Sequence, residues 1–171
     1  MEKMKNIIVN FNEVEAVVFD FDGVFTDNHV FIDQHGNESI RCYRSDGIGI
    51  ERIQSLGIKT MIISSEIDNV VQKRAKKLSI NCLNNIKAKD IAIKEFSYNA
   101  SVPLNKILYL GNDINDIPAL KIVGMPVGVA DSFPELDDYI LFKTNKRGGY
   151  GAVREICDKI YYAVKYPKGV K

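Results

Sequence analysis

The chain has 171 residues, 46% of them hydrophobic, with 23 basic and 22 acidic residues and three cysteines. That length suits one domain with a substantial core, so a single domain over 1–171 is expected. A net charge of +1, spread along the whole length, excludes a basic face for nucleic acid or an anionic membrane, and no apolar run nears the roughly 20 residues of a membrane span, so the expected partner is a small molecule.

The opening "MEKMKNIIVNFNEVE" (1–15) has neither the apolar stretch nor the cleavage site of a signal peptide. Cys42, Cys82 and Cys157 are odd in number and far apart, which fits reduced thiols in a cytoplasmic protein and argues against a disulfide framework or a CxxC site. "EAVVF" (15–19) begins a series of short, continuously apolar runs that continues with "IKTMII" (58–63), "KILYL" (106–110), "MPVGV" (125–129) and "YILF" (139–142). Continuous apolarity predicts strands covered on both faces. Amphipathic stretches predict helices over 46–56, with Asp46 as N-cap, and over 67–78, 88–100 and 149–164. Strands alternating with helices predict an α/β fold, a doubly wound, Rossmann-like parallel sheet with right-handed crossovers. "HVFIDQHGNESIRCY" (29–43) breaks the pattern and reads as a small β-hairpin flap laid over the sheet edge, with no room for a large cap domain; "YPKGVK" (166–171) reads as a loose tail.

The first apolar run ends in "VVFDFDGVFTDN" (17–28). Residues i and i+2 of a strand share a side, so Asp20 and Asp22 project together from its carboxyl end, where open α/β sheets bind ligands, while Phe19 and Phe21 face the other way. Two carboxylates in a partly buried site repel unless a cation or a shared proton compensates. Oxygen donors without a nearby His or Cys point to Mg²⁺. An Asp-Gly turn taken alone reads as simple capping.

"DFDGVFTD" (20–27) resembles the first motif of the haloacid dehalogenase-type phosphohydrolases, and the resemblance extends over nearly the whole chain. It implies a second-motif hydroxyl at a strand end, met by Ser64 in "MIISSE"; a Lys opening a later helix, met by Lys89 in "KAKDIAI"; and an acidic cluster after a strand and a Gly, met by Asp113 and Asp116 in "YLGNDIND". The resemblance implies two-step phosphoryl transfer, with Asp20 as nucleophile and Asp22 as general acid and base, while Mg²⁺, Ser64 and Lys89 neutralise the phosphoryl oxygens. It assigns the metal to Asp20, to Asp22 through its backbone carbonyl, and to a fourth-motif residue. Close relatives carry Asp directly after the fourth-motif Gly, whereas this chain has Asn112 there and Asp113 next, so either side chain can complete the metal site.

Only 41 residues (23–63) separate Asp22 from Ser64 and 24 (65–88) separate Ser64 from Lys89, which leaves no space for a cap. With "RSDGIGI" (44–50), the hairpin and "RGGYGAVREICD" (147–158), the chain resembles the capless phosphatases of 2-keto-3-deoxy sugar acid phosphates, which form homotetramers. By that resemblance "RGGYGAVRE" lies near an active site, its own or a neighbour's; the bland reading of its glycines is a flexible lead-in to the last helix. The expected substrate-binding set is Thr26, Ser65, Glu66, Arg74 and Lys77, with the two cations of "RAKKL" (74–78) on one helix face holding a sugar carboxylate; the same pair also suits a solvated face. Ser65-Glu66 resembles enzymes of nine-carbon acid 9-phosphates, such as 2-keto-3-deoxynononate or N-acylneuraminate 9-phosphate, and departs from the Gly-Arg usual in 3-deoxy-manno-octulosonate 8-phosphate phosphatases, the alternative. Two other classes compete: a signalling receiver domain, disfavoured because no phospho-acceptor precedes "SSE", and a weakly catalytic assembly module related to those fused to sugar-acid cytidylyltransferases, which Asn112 keeps open.

Overall fold

A computed structural model describes residues 9–67 and 69–167. In chain order its elements are β1 (Ala16–Phe19), β2 (Phe31–Ile32), β3 (Glu38–Ser39), α1 (Asp46–Gln54), β4 (Lys59–Ile63), α2 (Asn69–Lys77), β5 (Asn81–Leu83), α3 (Lys89–Ala100), β6 (Ile107–Gly111), α4 (Ile117–Leu120), β7 (Met125–Gly128), β8 (Phe142–Lys143) and α5 (Ala152–Lys165). Six strands form one parallel sheet in the order β5-β4-β1-β6-β7-β8. Every residue of β1, β6 and β7 is buried, as continuous apolar runs require when both faces are covered. Val17 and Phe19 pack with Ile50 and Ile53 of α1 and Ile156 and Ile160 of α5; Ala16 and Val18 face Ile93 and Phe96 of α3 and Leu120 of α4. The strand order reverses at β1, so the cleft outside its carboxyl end is the natural ligand site of this topology.

The expected sheet is present, with differences at its edges. β5 carries no apolar run because an edge strand of three residues buries little, and its side chains are exposed or half-buried. At "YILF" only Phe142 is strand, since Pro134 starts a 3-10 turn that lasts through Tyr139. Asp46 does not cap α1: Ser45 holds that position, and the wholly buried Asp46 accepts the backbone N–H of Arg154 at 3.1 Å, in the first turn of α5, where N-cap Gly151 has no side chain to offer. Burial pushes the Asp46 carboxyl up to about 7. The hairpin exists, but β2 and β3 pair over two residues each in a sheet of their own, and residues 28–39 are all exposed. The expected loose tail falls partly at 168–171, outside the described residues, as does Asp68 before α2. No described helix is long and apolar enough to cross a membrane.

α1 and α5 lie in close contact at Gly49, where an added Cβ would sit 2.9 Å from the Cys157 Cβ and 3.2 Å from the Arg154 Cα. At Gly47, two residues earlier, it would meet only the end of the Leu78 side chain at 3.3 Å. Gly49→Ala therefore destabilises the fold by about 1–3 kcal/mol, whereas Gly47→Ala is neutral or stabilising by up to about 1 kcal/mol, as urea denaturation of the two variants will measure.

Candidate active site

β1 delivers Asp20 to the centre of the sheet, where its backbone N–H donates to Leu110 O at 2.9 Å. The chain then turns, with the backbone N–H groups of Val24, Phe25 and Thr26 donating to Phe21 O and the Phe25 ring packed on both Phe19 and Phe21. The turn and the loops after β4 and β6 enclose an open cavity of about 320 Å³ whose lining includes Asp20, Asp22, Ser65, Glu66, Asn112 and Asp113. Thr26 is not part of it: its side chain is buried and its Oγ1 accepts the Gly23 and Asn28 N–H groups at 3.1 and 3.2 Å, so the hydroxyl locks the turn and is not presented to a substrate.

Lys89, the first residue of α3, has no exposed surface. Its ammonium donates to Asp20 Oδ1 at 2.8 Å and to Asp116 Oδ1 at 2.7 Å. Burial alone would lower the lysine, but Asp20 and Asp116 outweigh it and hold it above its ordinary value. Asp20 moves the other way: burial, then the charge of Asp116, raise its carboxyl to about 7 although Lys89 opposes them. Two carboxylates and one ammonium leave the cluster with excess negative charge, which a cation in the adjoining cavity would neutralise. Asp116, the second acidic residue of the "YLGNDIND" cluster, anchors the loop after β6. Its Oδ2 accepts the backbone N–H groups of Asn112 at 2.8 Å and Asp113 at 3.3 Å, and its Oδ1 also accepts the Tyr109 hydroxyl at 2.6 Å.

The donors available to a metal are all oxygens: the Asp20 carboxylate, the Asp22 backbone, and the Asn112 and Asp113 side chains. Among the described residues no group of three His, Cys, Asp or Glu side chains forms a ready cage, so an amide or backbone oxygen has to complete the set. Asn112 is buried, and its amide lies against Gly23, where a Cβ would fall 1.9 Å from the Asn112 Nδ2. Asp113 caps the 3-10 turn Ile114–Asp116, its Oδ1 accepting the Ile114 N–H at 2.7 Å. The residue types fit a hard divalent cation.

The remaining predicted residues divide between two places. Ser64 is buried, with its Oγ accepting the Glu66 N–H at 3.1 Å, while Ser65 accepts the Asn115 side-chain amide at 3.3 Å and so ties the loop after β4 to the loop after β6. Arg74 and Lys77 are not in the Asp20 cavity: they line a second one of about 360 Å³ with Arg44 and Cys42. Arg74 donates to Tyr43 O at 3.0 Å, and its Nε is buried with no hydrogen-bond partner among the described residues. "RGGYG" packs on the first-motif turn of its own chain. Gly149 N–H donates to Val24 O at 3.0 Å with φ +70°, and a Cβ there would fall 2.4 Å from the Asp27 N, so these glycines permit close backbone contact as well as leading into α5. Arg41 of the hairpin arm pairs with Asp27 and donates to the Tyr150 hydroxyl at 2.5 Å, joining flap, turn and glycine strap.

No protein-family model matches the chain. It is 30% identical over 159 residues to the 3-deoxy-D-manno-octulosonate 8-phosphate phosphatase of Escherichia coli K12, covering 92% of this chain and 85% of that protein. A crystal structure described as a HAD family hydrolase from Streptomyces avermitilis superposes with a TM-score of 0.84 at 39% identity, covering 88% of this chain and 92% of the other. The Moraxella catarrhalis 3-deoxy-D-manno-octulosonate 8-phosphate phosphatase, solved with magnesium, phosphate and its sugar acid, gives a TM-score of 0.87 at 27% identity, covering 91% and 90%. With the fold, the motif order and these similarities in agreement, the chain belongs to the haloacid dehalogenase (HAD) phosphatase family and resembles its 3-deoxy-D-manno-octulosonate 8-phosphate phosphatases.

Proposed function

We propose that the chain is a Mg²⁺-dependent phosphomonoesterase that releases phosphate from a 2-keto-3-deoxy sugar acid phosphate through an aspartyl-phosphate on Asp20. The observation that carries this reading is Asp20 itself, at the cavity wall beside Asp22, Asn112 and Asp113, with Oδ1 held 2.8 Å from the Lys89 ammonium. Mg²⁺ would be held by the Asp20 carboxylate, the Asp22 backbone carbonyl and either Asn112 or Asp113, a choice supported by the oxygen-only donors and by the magnesium bound in the M. catarrhalis relative. When bound, the ion supplies positive charge to the phosphoryl oxygens. Asp20 attacks phosphorus in line, and the bond from phosphorus to the sugar oxygen breaks. Asp22 gives the departing alkoxide its proton and later takes one from the water that hydrolyses the intermediate. Of the three Lys89 N–H groups, two serve Asp20 and Asp116, leaving one for a phosphoryl oxygen; the Ser64 oxygen accepts the Glu66 N–H, leaving its own proton for another.

A nine-carbon acid 9-phosphate is the preferred substrate in this reading. Glu66 in the Asp20 cavity suits sugar hydroxyls, and the cavity of Arg44, Arg74 and Lys77 suits a carboxylate. The second reading, an eight-carbon acid 8-phosphate, is favoured by the names of the E. coli and M. catarrhalis relatives. A homotetramer is supported by the hairpin, which leaves Phe31 61% and Ile32 67% exposed, more apolar surface than a free hairpin tolerates well, and by an open site that the described residues leave uncovered. A cytoplasmic setting is supported by the free Cys42, Cys82 and Cys157.

Phosphate release assayed with Mg²⁺ across eight-carbon and nine-carbon acid phosphates, hexose phosphates and serine phosphate will be selective for a keto acid phosphate, abolished by chelation and reduced on the order of a thousandfold or more in Asp20→Asn. Absence of turnover in a folded protein would return the assembly-module reading. Glu66→Gln, Arg74→Met and Lys77→Met will each raise KM for the keto acid phosphate about ten- to a hundredfold and leave p-nitrophenyl phosphate turnover unchanged, the loss expected for one charged hydrogen bond. Phe31→Ser with Ile32→Ser will convert the tetramer to smaller species in sedimentation velocity.

A further inference from the structure

Tyr109 lies in the middle of β6 with no exposed surface, among Ile63, Ile93, Phe96 and Leu120. A phenylalanine would fill that apolar layer equally well, and a buried hydroxyl costs free energy unless it is bonded. Among the described residues this hydroxyl donates to Asp116 Oδ1 at 2.6 Å, the same oxygen that accepts Lys89 at 2.7 Å. Asp116 Oδ2 is meanwhile occupied by the backbone N–H groups of Asn112 and Asp113. One carboxylate thus joins the strand, the lysine of α3 and the loop that carries Asn112 and Asp113.

We propose that Tyr109 is a positioning residue for phosphoryl transfer, whose hydroxyl fixes the Asp116 carboxylate so that the shared oxygen holds Lys89 in its bridging place against Asp20. The inference rests on the phosphatase reading. The terminal torsion of an aspartate is soft, so what orients this carboxylate is its set of donors. Without the hydroxyl, Oδ1 keeps the ammonium as its sole donor; the carboxylate turns toward Lys89 and draws it from Asp20 and from the phosphoryl group. Displacement of a charged group by about 1 Å at a reacting centre costs on the order of a hundredfold in rate. Burial, with the charges of Asp116 and Asp20, holds the phenol well above its ordinary pKa, so it remains a donor throughout any practical assay range.

The test is Tyr109→Phe, compared with the unaltered protein by melting temperature, by steady-state kinetics, and by the ¹⁵N resonance of the Lys89 side chain in the substrate-free protein, assigned with Lys89→Met. The expected result is a shifted Lys89 resonance, kcat lower by about ten- to a hundredfold at unchanged KM, and a melting temperature lower by only a few degrees. A resonance that stays in place overturns the proposal whatever kcat does, and so does unaltered kcat in a variant that melts earlier, because the hydroxyl would then serve stability alone. If Tyr109→Phe does not fold, 3-fluorotyrosine placed at 109 keeps the ring and strengthens the donor; a shift of the Lys89 resonance supports the proposal and its absence overturns it. An unaltered protein that hydrolyses no phosphate ester refutes the phosphatase reading, while the resonance still decides whether Tyr109 controls Lys89.

Discussion

A fully buried ammonium held between two carboxylates organises this protein. Lys89 meets Asp20 from the end of β1 and Asp116 from the loop after β6, two groups 96 positions apart in the chain, so the helix that Lys89 opens cannot shift without uncovering a charge in the core. Removing one member of such a cluster typically costs about 3–5 kcal/mol, because the charge left behind has neither water nor a partner. Those energetics explain why three distant segments converge within a few ångströms of one another. They also explain why the cluster is unfinished: burial, and after it the charge of Asp116, raise the Asp20 carboxyl to about 7 against the opposing Lys89, an environment that favours a further cation beside it.

Around that cluster the structure separates buried polar groups from exposed ones. Asp20 and Ser64 are buried at the carboxyl ends of strands, where sheet hydrogen bonds set their positions, while the equally buried Lys89 opens a helix and Asp116 ends the 3-10 turn after β6. Glu66, Arg74 and Lys77 sit on exposed or half-buried segments that line the two cavities. The hairpin is more exposed still, and its arm reaches back through Arg41 to the turn that carries Asp22 and to the glycine strap before α5. Transfer of a phosphoryl group needs fixed charges, and the buried groups are the ones whose neighbours hold them in place.

The central elements were legible in the sequence because a strand covered on both faces has to be apolar throughout: "EAVVF", "IKTMII" and "KILYL" could be little else. The edges were not. β5 gains little from burial and so carries no pattern, and at "YILF" the strand is confined to Phe142 because the 3-10 turn that Pro134 starts runs through Tyr139. Asp46 looked like the cap of its own helix, yet its partner is Arg154, 108 positions away, a pairing that no local pattern encodes.

The sequence by itself determined the fold class, since hydrophobic periodicity is a local property of the chain, and the order of the motifs that hold Asp20, Asp22, Ser64 and Lys89 carried the resemblance to the phosphatase family. Only the tertiary structure decided what each polar group faces. It turned Thr26 inward to lock a turn, sent Arg74 and Lys77 to a second cavity, and left Lys89 with no exposed surface at all. Burial and charge pairing arise from segments that meet in space, and their energy depends on distance and dielectric, which a linear pattern does not contain.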